Sequence, residues 1–139
     1  LGLSPGAGLV RCRIDSNIDL AEEDSVQYAV LIYDKPDTYA SMSPADLGRV
    51  MAEYGPITAD PAVRGGAQLQ PVETATTVRV SDGRPLVTDG PFAATKEVFG
   101  GFYLIDVADL DEALAFAARI PSARLGGSVE LRPIVEREP

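Results

Sequence analysis

Apolar residues gather in short runs separated by glycine and proline, the rhythm of strands broken by turns rather than of long helices. Val26–Tyr33 is rich in β-branched and aromatic residues and stops at Asp34-Lys35-Pro36-Asp37, which predicts a buried strand. After a polar loop, Ser43 offers an N-cap and Pro44 a first-turn proline. Leu47, Val50, Met51 and Tyr54 then recur at helical spacing, so a helix begins at Pro44. Gly55-Pro56 ends or kinks it, with a second turn over Pro56–Asp60. Beyond Gly65-Gly66, the segments Leu69–Val72 and Ala75–Val80 read as one interrupted strand, with Pro71 marking an edge or a bulge. Asp82-Gly83 is a tight-hairpin signal and Pro85–Thr88 the return strand.

The second half repeats the order. Phe99–Val107 is the clearest strand. Asp109 and Glu112 form a capping-box-like pair at the head of a helix whose stripe is Leu110, Ala113, Leu114 and Ala117, running to Pro121. Gly126-Gly127 releases the last strand, Ser128–Val135, with Val129 and Leu131 on one face and Glu130 and Arg132 on the other. The order β-α-β, hairpin, β-α-β predicts an α+β fold, a ferredoxin-like βαβ-βαβ sandwich with an inserted β-hairpin. Helices on one face leave the other face of the sheet uncovered, and a homodimer, a dimeric α/β-barrel-type assembly, is the expected cover.

Composition narrows the function. With 139 residues, 45% hydrophobic and 24% charged, the chain has the make-up of one ordinary globular domain, taken as residues 26–139 behind an arm at 1–25 that lacks apolar periodicity. The first residue is Leu1, which leaves a processed product, an expression remnant and an upstream-start extension open. No window resembles a membrane span or a secretory signal, so the cytoplasm is the expected location. A net charge of −9 argues against sequence-independent nucleic-acid binding. The arm's two basic and five acidic side chains do not alter that sign. Cys12 is the lone cysteine and histidine is absent, which removes disulfides, imidazole metal sites and histidine-dependent triads. Acid–base chemistry must fall to Asp, Glu, Lys, Tyr or Arg, and the reading calls for no cofactor and no metal.

The stretch Asp89–Glu97 concentrates the candidate chemistry. Gly90-Pro91 forces a turn, while Thr95, Lys96 and Glu97 set a hydroxyl, a cation and a carboxylate between Phe92 and Phe99. Asp89 is the candidate acid or base and Lys96 its partner. Tyr33, Phe92, Glu97, Tyr103 and Arg132 are the candidate ligand-binding residues, with Lys96 and Arg132 drawing a small anionic ligand. The bland readings are an Asx-type turn at Asp89, ion pairs of Lys96 and Arg132 with Glu97 and Glu130, and tyrosines serving as core. The run Asp106, Asp109, Asp111, Glu112 is explained by the preference of helix N-termini for carboxylates.

Asp89-Gly90-Pro91-Phe92, Thr95-Lys96-Glu97, Gly100-Gly101-Phe102-Tyr103, Asp109-Leu110-Asp111-Glu112-Ala113 and Gly127–Pro133 together resemble the YCII-related family in its DGPF-motif branch, over roughly residues 26–136. The resemblance implies a ferredoxin-like α/β fold, often dimerised through sheet faces with a pocket near the interface. It also implies frequent company with genes for extracytoplasmic sigma factors and, in a few relatives, lyase or dehalogenase-type chemistry on small aromatic compounds. The histidine and aspartate suggested as a dyad in better-studied relatives are not here: Asp46 and Ile120 stand at about those places, and Arg124-Leu125-Gly126 where the branch often has a histidine. Two functions follow as expectations. One is a small dimeric ligand-binding or regulatory module linked to sigma-factor regulation; the other is a cofactor-independent lyase or isomerase using Asp89 and Lys96 on a small organic acid or aromatic compound.

Overall fold

The computed structural model describes residues 25–93 and 95–136, so the arm expected over residues 1–25 lies, but for Ser25, outside the described residues. At the centre are the two longest strands, β1 (Val26–Asp34) and β5 (Val98–Val107), paired antiparallel. They are flanked by β2 (Val63–Gln68) on the β5 side and β6 (Ser128–Pro133) on the β1 side. The resulting order β2-β5-β1-β6, antiparallel throughout, is compatible with the ferredoxin-like α+β fold. A separate hairpin, β3 (Thr76–Ser81) and β4 (Arg84–Asp89), is inserted between β2 and β5. Its turn holds Asp82 at φ 54° and Gly83 at φ 76°, the double positive-φ geometry that Asp-Gly serves.

The core lies on one face of the four-stranded sheet. Tyr28, Val30 and Ile32 of β1 alternate inward beside Tyr103, Ile105 and Val107 of β5. Ala113, Phe116 and Ile120, from helix α4 (Leu110–Ala118) and just after it, cover them, with Ile57 from the first connection. Phe116 meets the Tyr103 ring edge-on at 5.6 Å and 86°. α4 starts as its sequence requires: the Asp109 carboxylate accepts from Glu112 N–H at 3.0 Å, and Glu112 reaches back to the Ala108 N–H at 2.9 Å. The opposite sheet face carries Leu31, Tyr33, Phe102 and Leu104, all half-buried.

Three segments differ from the sequence reading. In the first connection the polar loop expected before Pro44 carries a helix of its own, α1 (Pro36–Ala40), while the helix expected from Pro44 and the second turn expected past the Gly55-Pro56 break stand as α2 (Pro44–Ala52) and α3 (Tyr54–Thr58). Pro36 starts α1 at a position where a missing N–H costs nothing, and Pro56 is housed the same way in the first turn of α3. The strand before the hairpin is Val63–Gln68, not Leu69–Val72, where a 3-10 turn (Val72–Thr74) stands instead. Its two glycines hid it. Gly66 lies so close to β5 that an added Cβ would meet the Phe102 carbonyl oxygen at 2.5 Å, so the pairing requires glycine there, beside a bulge at Val63/Gly65. The last strand stops at Pro133, two residues short of the expected end.

Candidate functional site

Asp34 closes the inward row of β1, two residues on from Ile32. The register between β1 and β5 shifts between Ile32, opposite Gly101, and Tyr33, opposite Phe99, leaving Gly100 as the extra residue. Gly100 faces the Asp34 carboxylate so closely that any Cβ would overlap Oδ2. The bulge thus both re-aims the strand and opens room for a carboxylate.

One oxygen of that carboxylate is held from behind. Ser122, in the 3-10 turn Pro121–Ala123 after α4, is 1% exposed and donates its hydroxyl to Asp34 Oδ1 in a short hydrogen bond. Tyr39 of α1 donates to the same oxygen at 3.3 Å and lies 3.2 Å from Ser122 Oγ. An ionised carboxylate only accepts, so the single Ser122 proton goes to Asp34 and the Ser122 oxygen is left to accept from Tyr54 of α3 at 3.5 Å. The order Tyr54 to Ser122 to Asp34, with Tyr39 beside it, ties four elements to one atom. Oδ2 receives no hydrogen bond from the described residues.

Burial sets the protonation of the phenols. It pushes Tyr54 up to about 12 from the ordinary 10.0. Burial likewise raises Tyr39. Both remain neutral donors across the physiological range, and neither serves as a base there.

Asp34 sits in the wall of a cleft of about 710 Å³, within the range of small-molecule sites. Its other polar groups include Tyr39, Tyr54, Glu73 and the pair Thr58–Tyr103, whose hydroxyls lie 2.7 Å apart. Leu47, Met51, Leu69, Val98 and Phe99 form apolar walls. A second cleft of about 340 Å³, toward β2, shares Tyr54, Thr58, Gln68 and Tyr103 with the first.

Of the residues expected at the site, Tyr103 alone lines either cleft. Tyr33 lies on the other sheet face, 5.5 Å from the Phe99 ring. Glu97 accepts from Ser128 Oγ at 2.8 Å, and exposed Arg132 pairs with its neighbour Glu130 at 2.6 Å. Asp89 and Lys96 are both exposed, and Phe92 is 78% exposed. The turn after Asp89 is a clasp at the hairpin base: Gly90 N–H bonds the Ala75 carbonyl at 2.6 Å, and Thr77 Oγ1 donates to the Gly90 carbonyl at 2.8 Å. Asp34 and Ser122 escaped sequence reading. The signal for Asp34 was there, as the acid continuing the even-numbered row Tyr28, Val30, Ile32.

The model for the YCII-related domain matches residues 26–138. The chain belongs to the YCII-related family. An uncharacterized protein of Rhizobium meliloti (strain 1021) is 41% identical over 117 residues, covering 81% of this chain and 94% of that protein. The YCII-related domain spans both elements that hold Asp34, β1 and the Pro121–Ala123 turn. Among the described residues no helix is long and apolar enough to cross a membrane.

Proposed function

We propose that this YCII-related chain is a small-molecule-binding module whose ligand site is the Asp34 cleft. The observation that carries the reading is a carboxylate fixed by two hydroxyls through one oxygen, with the other given no donor by the described residues, in a cleft large enough for a compact organic molecule. The finer placement in the DGPF branch rests on the motifs at Asp89–Phe92 and Gly100–Tyr103. A regulatory role beside extracytoplasmic sigma factors rests on the family resemblance, and a cytoplasmic setting on an ordinary globular composition. The proposal includes a homodimer, supported by the half-buried Leu31, Tyr33, Phe102 and Leu104 on the sheet face away from the helices.

A cofactor-independent lyase or isomerase is the second reading, favoured by the same Oδ2, to which no described residue donates. A carboxylate oriented through one oxygen and open at the other has the arrangement of a general base. The Asp89 and Lys96 pair, which lines neither of these two clefts, becomes a site in its own right where a second molecule supplies cavity walls.

Ligand-observed NMR with a fragment library tests the assignment. Asp34→Asn removes or weakens binding of cleft fragments, whereas Lys96→Ala leaves it unchanged; the reverse pattern would return the site to the Asp89–Glu97 loop. Any turnover found with a bound fragment vanishes in Asp34→Asn if the enzyme reading holds.

A further inference from the structure

We infer that the Asp34 cleft selects a protonated amine carried on a compact apolar or aromatic body. This rests on the cleft being the ligand site and names the class of ligand that it takes.

Charge is the first ground. Two carboxylates, Asp34 and Glu73, line the cleft, and no Lys or Arg among the described residues does. The hydroxyls on Asp34 orient the carboxylate without neutralising it. An anion entering this space would face like charge between low-dielectric walls, whereas a cation supplies what the cleft lacks. The net charge of −9 adds a long-range field of the same sign.

Geometry is the second. Asp34 Oδ2 is free of donors from the described residues, while Oδ1 is occupied, so a ligand N–H has one oxygen to approach. Gly100, lacking a Cβ, lets Oδ2 rest where that atom would stand. An ammonium with three protons can donate to Oδ2 and still spare protons for the tyrosine hydroxyl oxygens or the Gln68 amide oxygen that also line the cleft. Tyr39, Tyr54 and Tyr103 line the same space and suit both the cation and its apolar body. A ligand carboxylate has no such complement here. The small anionic ligand expected at Lys96 and Arg132 would therefore have to bind elsewhere than in this cleft.

Isothermal titration with phenethylamine, 2-phenylethanol and phenylacetate, matched in body and differing in charge, tests the inference directly. The amine should bind the wild-type chain about tenfold tighter than the alcohol, with phenylacetate weakest, because a charge-assisted hydrogen bond is about twice as strong as a neutral one. Asp34→Asn should remove most of the gap between amine and alcohol, and Glu73→Gln, at an exposed position, should narrow it slightly. Should Asp34→Asn fail to fold, salt supplies the readout on the wild type: raising ionic strength from about 0.02 to 0.5 M should weaken the amine and spare the alcohol. Equal binding of amine and alcohol overturns the inference while leaving the cleft as the ligand site. Preference for phenylacetate, or an amine preference undiminished in Asp34→Asn, overturns it as well. If no probe binds in the cleft, the inference and the site assignment fall together.

Discussion

The single Ser122 proton decides the chemistry around Asp34. Committed to the carboxylate, it obliges Tyr54 to act as donor, and burial then keeps that phenol protonated to about 12. This has a pH consequence of definite sign. Below pH 10 the Tyr54 contribution is complete. Between the ordinary value of 10.0 and about 12 the unfolded chain has released the phenol proton while the folded chain keeps it, so stability falls as pH rises through that window. Tyr54→Phe should flatten the alkaline limb of a plot of denaturation midpoint against pH; an unchanged slope would mean that Tyr54 is not held in this way. None of these partnerships was legible along the chain, because Ser122 sits 88 positions from Asp34 within a segment that reads only as a helix end. Asp34 itself was half legible, an acid at the end of an inward row, and was passed over as a strand terminator.

Local chemistry is written clearly in several elements and obscured in others. The Ser43-Pro44 start, the Asp109–Glu112 box and the Asp82-Gly83 turn formed where expected, since each depends on residues within four positions of one another. The strand Val63–Gln68 was missed because Gly65 and Gly66 depress strand propensity, and the approach of Phe102 and Tyr103 from β5 explains the use of Gly66. Glycines therefore divide into two kinds, which substitution separates. Gly48, inside α2 with nothing within 4 Å of an added Cβ, should stabilise the fold by about 0.5–1 kcal/mol as Gly48→Ala, through helix propensity and reduced unfolded-state entropy. Gly100→Ala must push the Asp34 carboxylate aside and should cost about 1–3 kcal/mol while weakening cleft binding. Urea denaturation of both variants checks the pair, and equal effects would contradict the role given to the bulge.

The α+β class was legible from the run β-α-β, hairpin, β-α-β, and the observed strand order is compatible with the ferredoxin-like fold read from it. What the open face does was not. The proposed homodimer covers Leu31, Phe102 and Leu104, and light scattering at micromolar concentration should give twice the 14.7 kDa chain mass. Phe102→Glu should halve it by placing an unpaired charge at the centre of the interface; a monomeric wild type would leave the face to some other partner. The central claim, that ligands enter at Asp34, is independent of assembly. Its most direct test is to titrate the isotope-labelled protein with phenethylamine and map amide shifts. The largest changes should gather at Asp34, Tyr39, Tyr54, Leu69 and Gly100, the walls of the cleft. Changes centred on Asp89–Glu97, with the cleft silent, would contradict it.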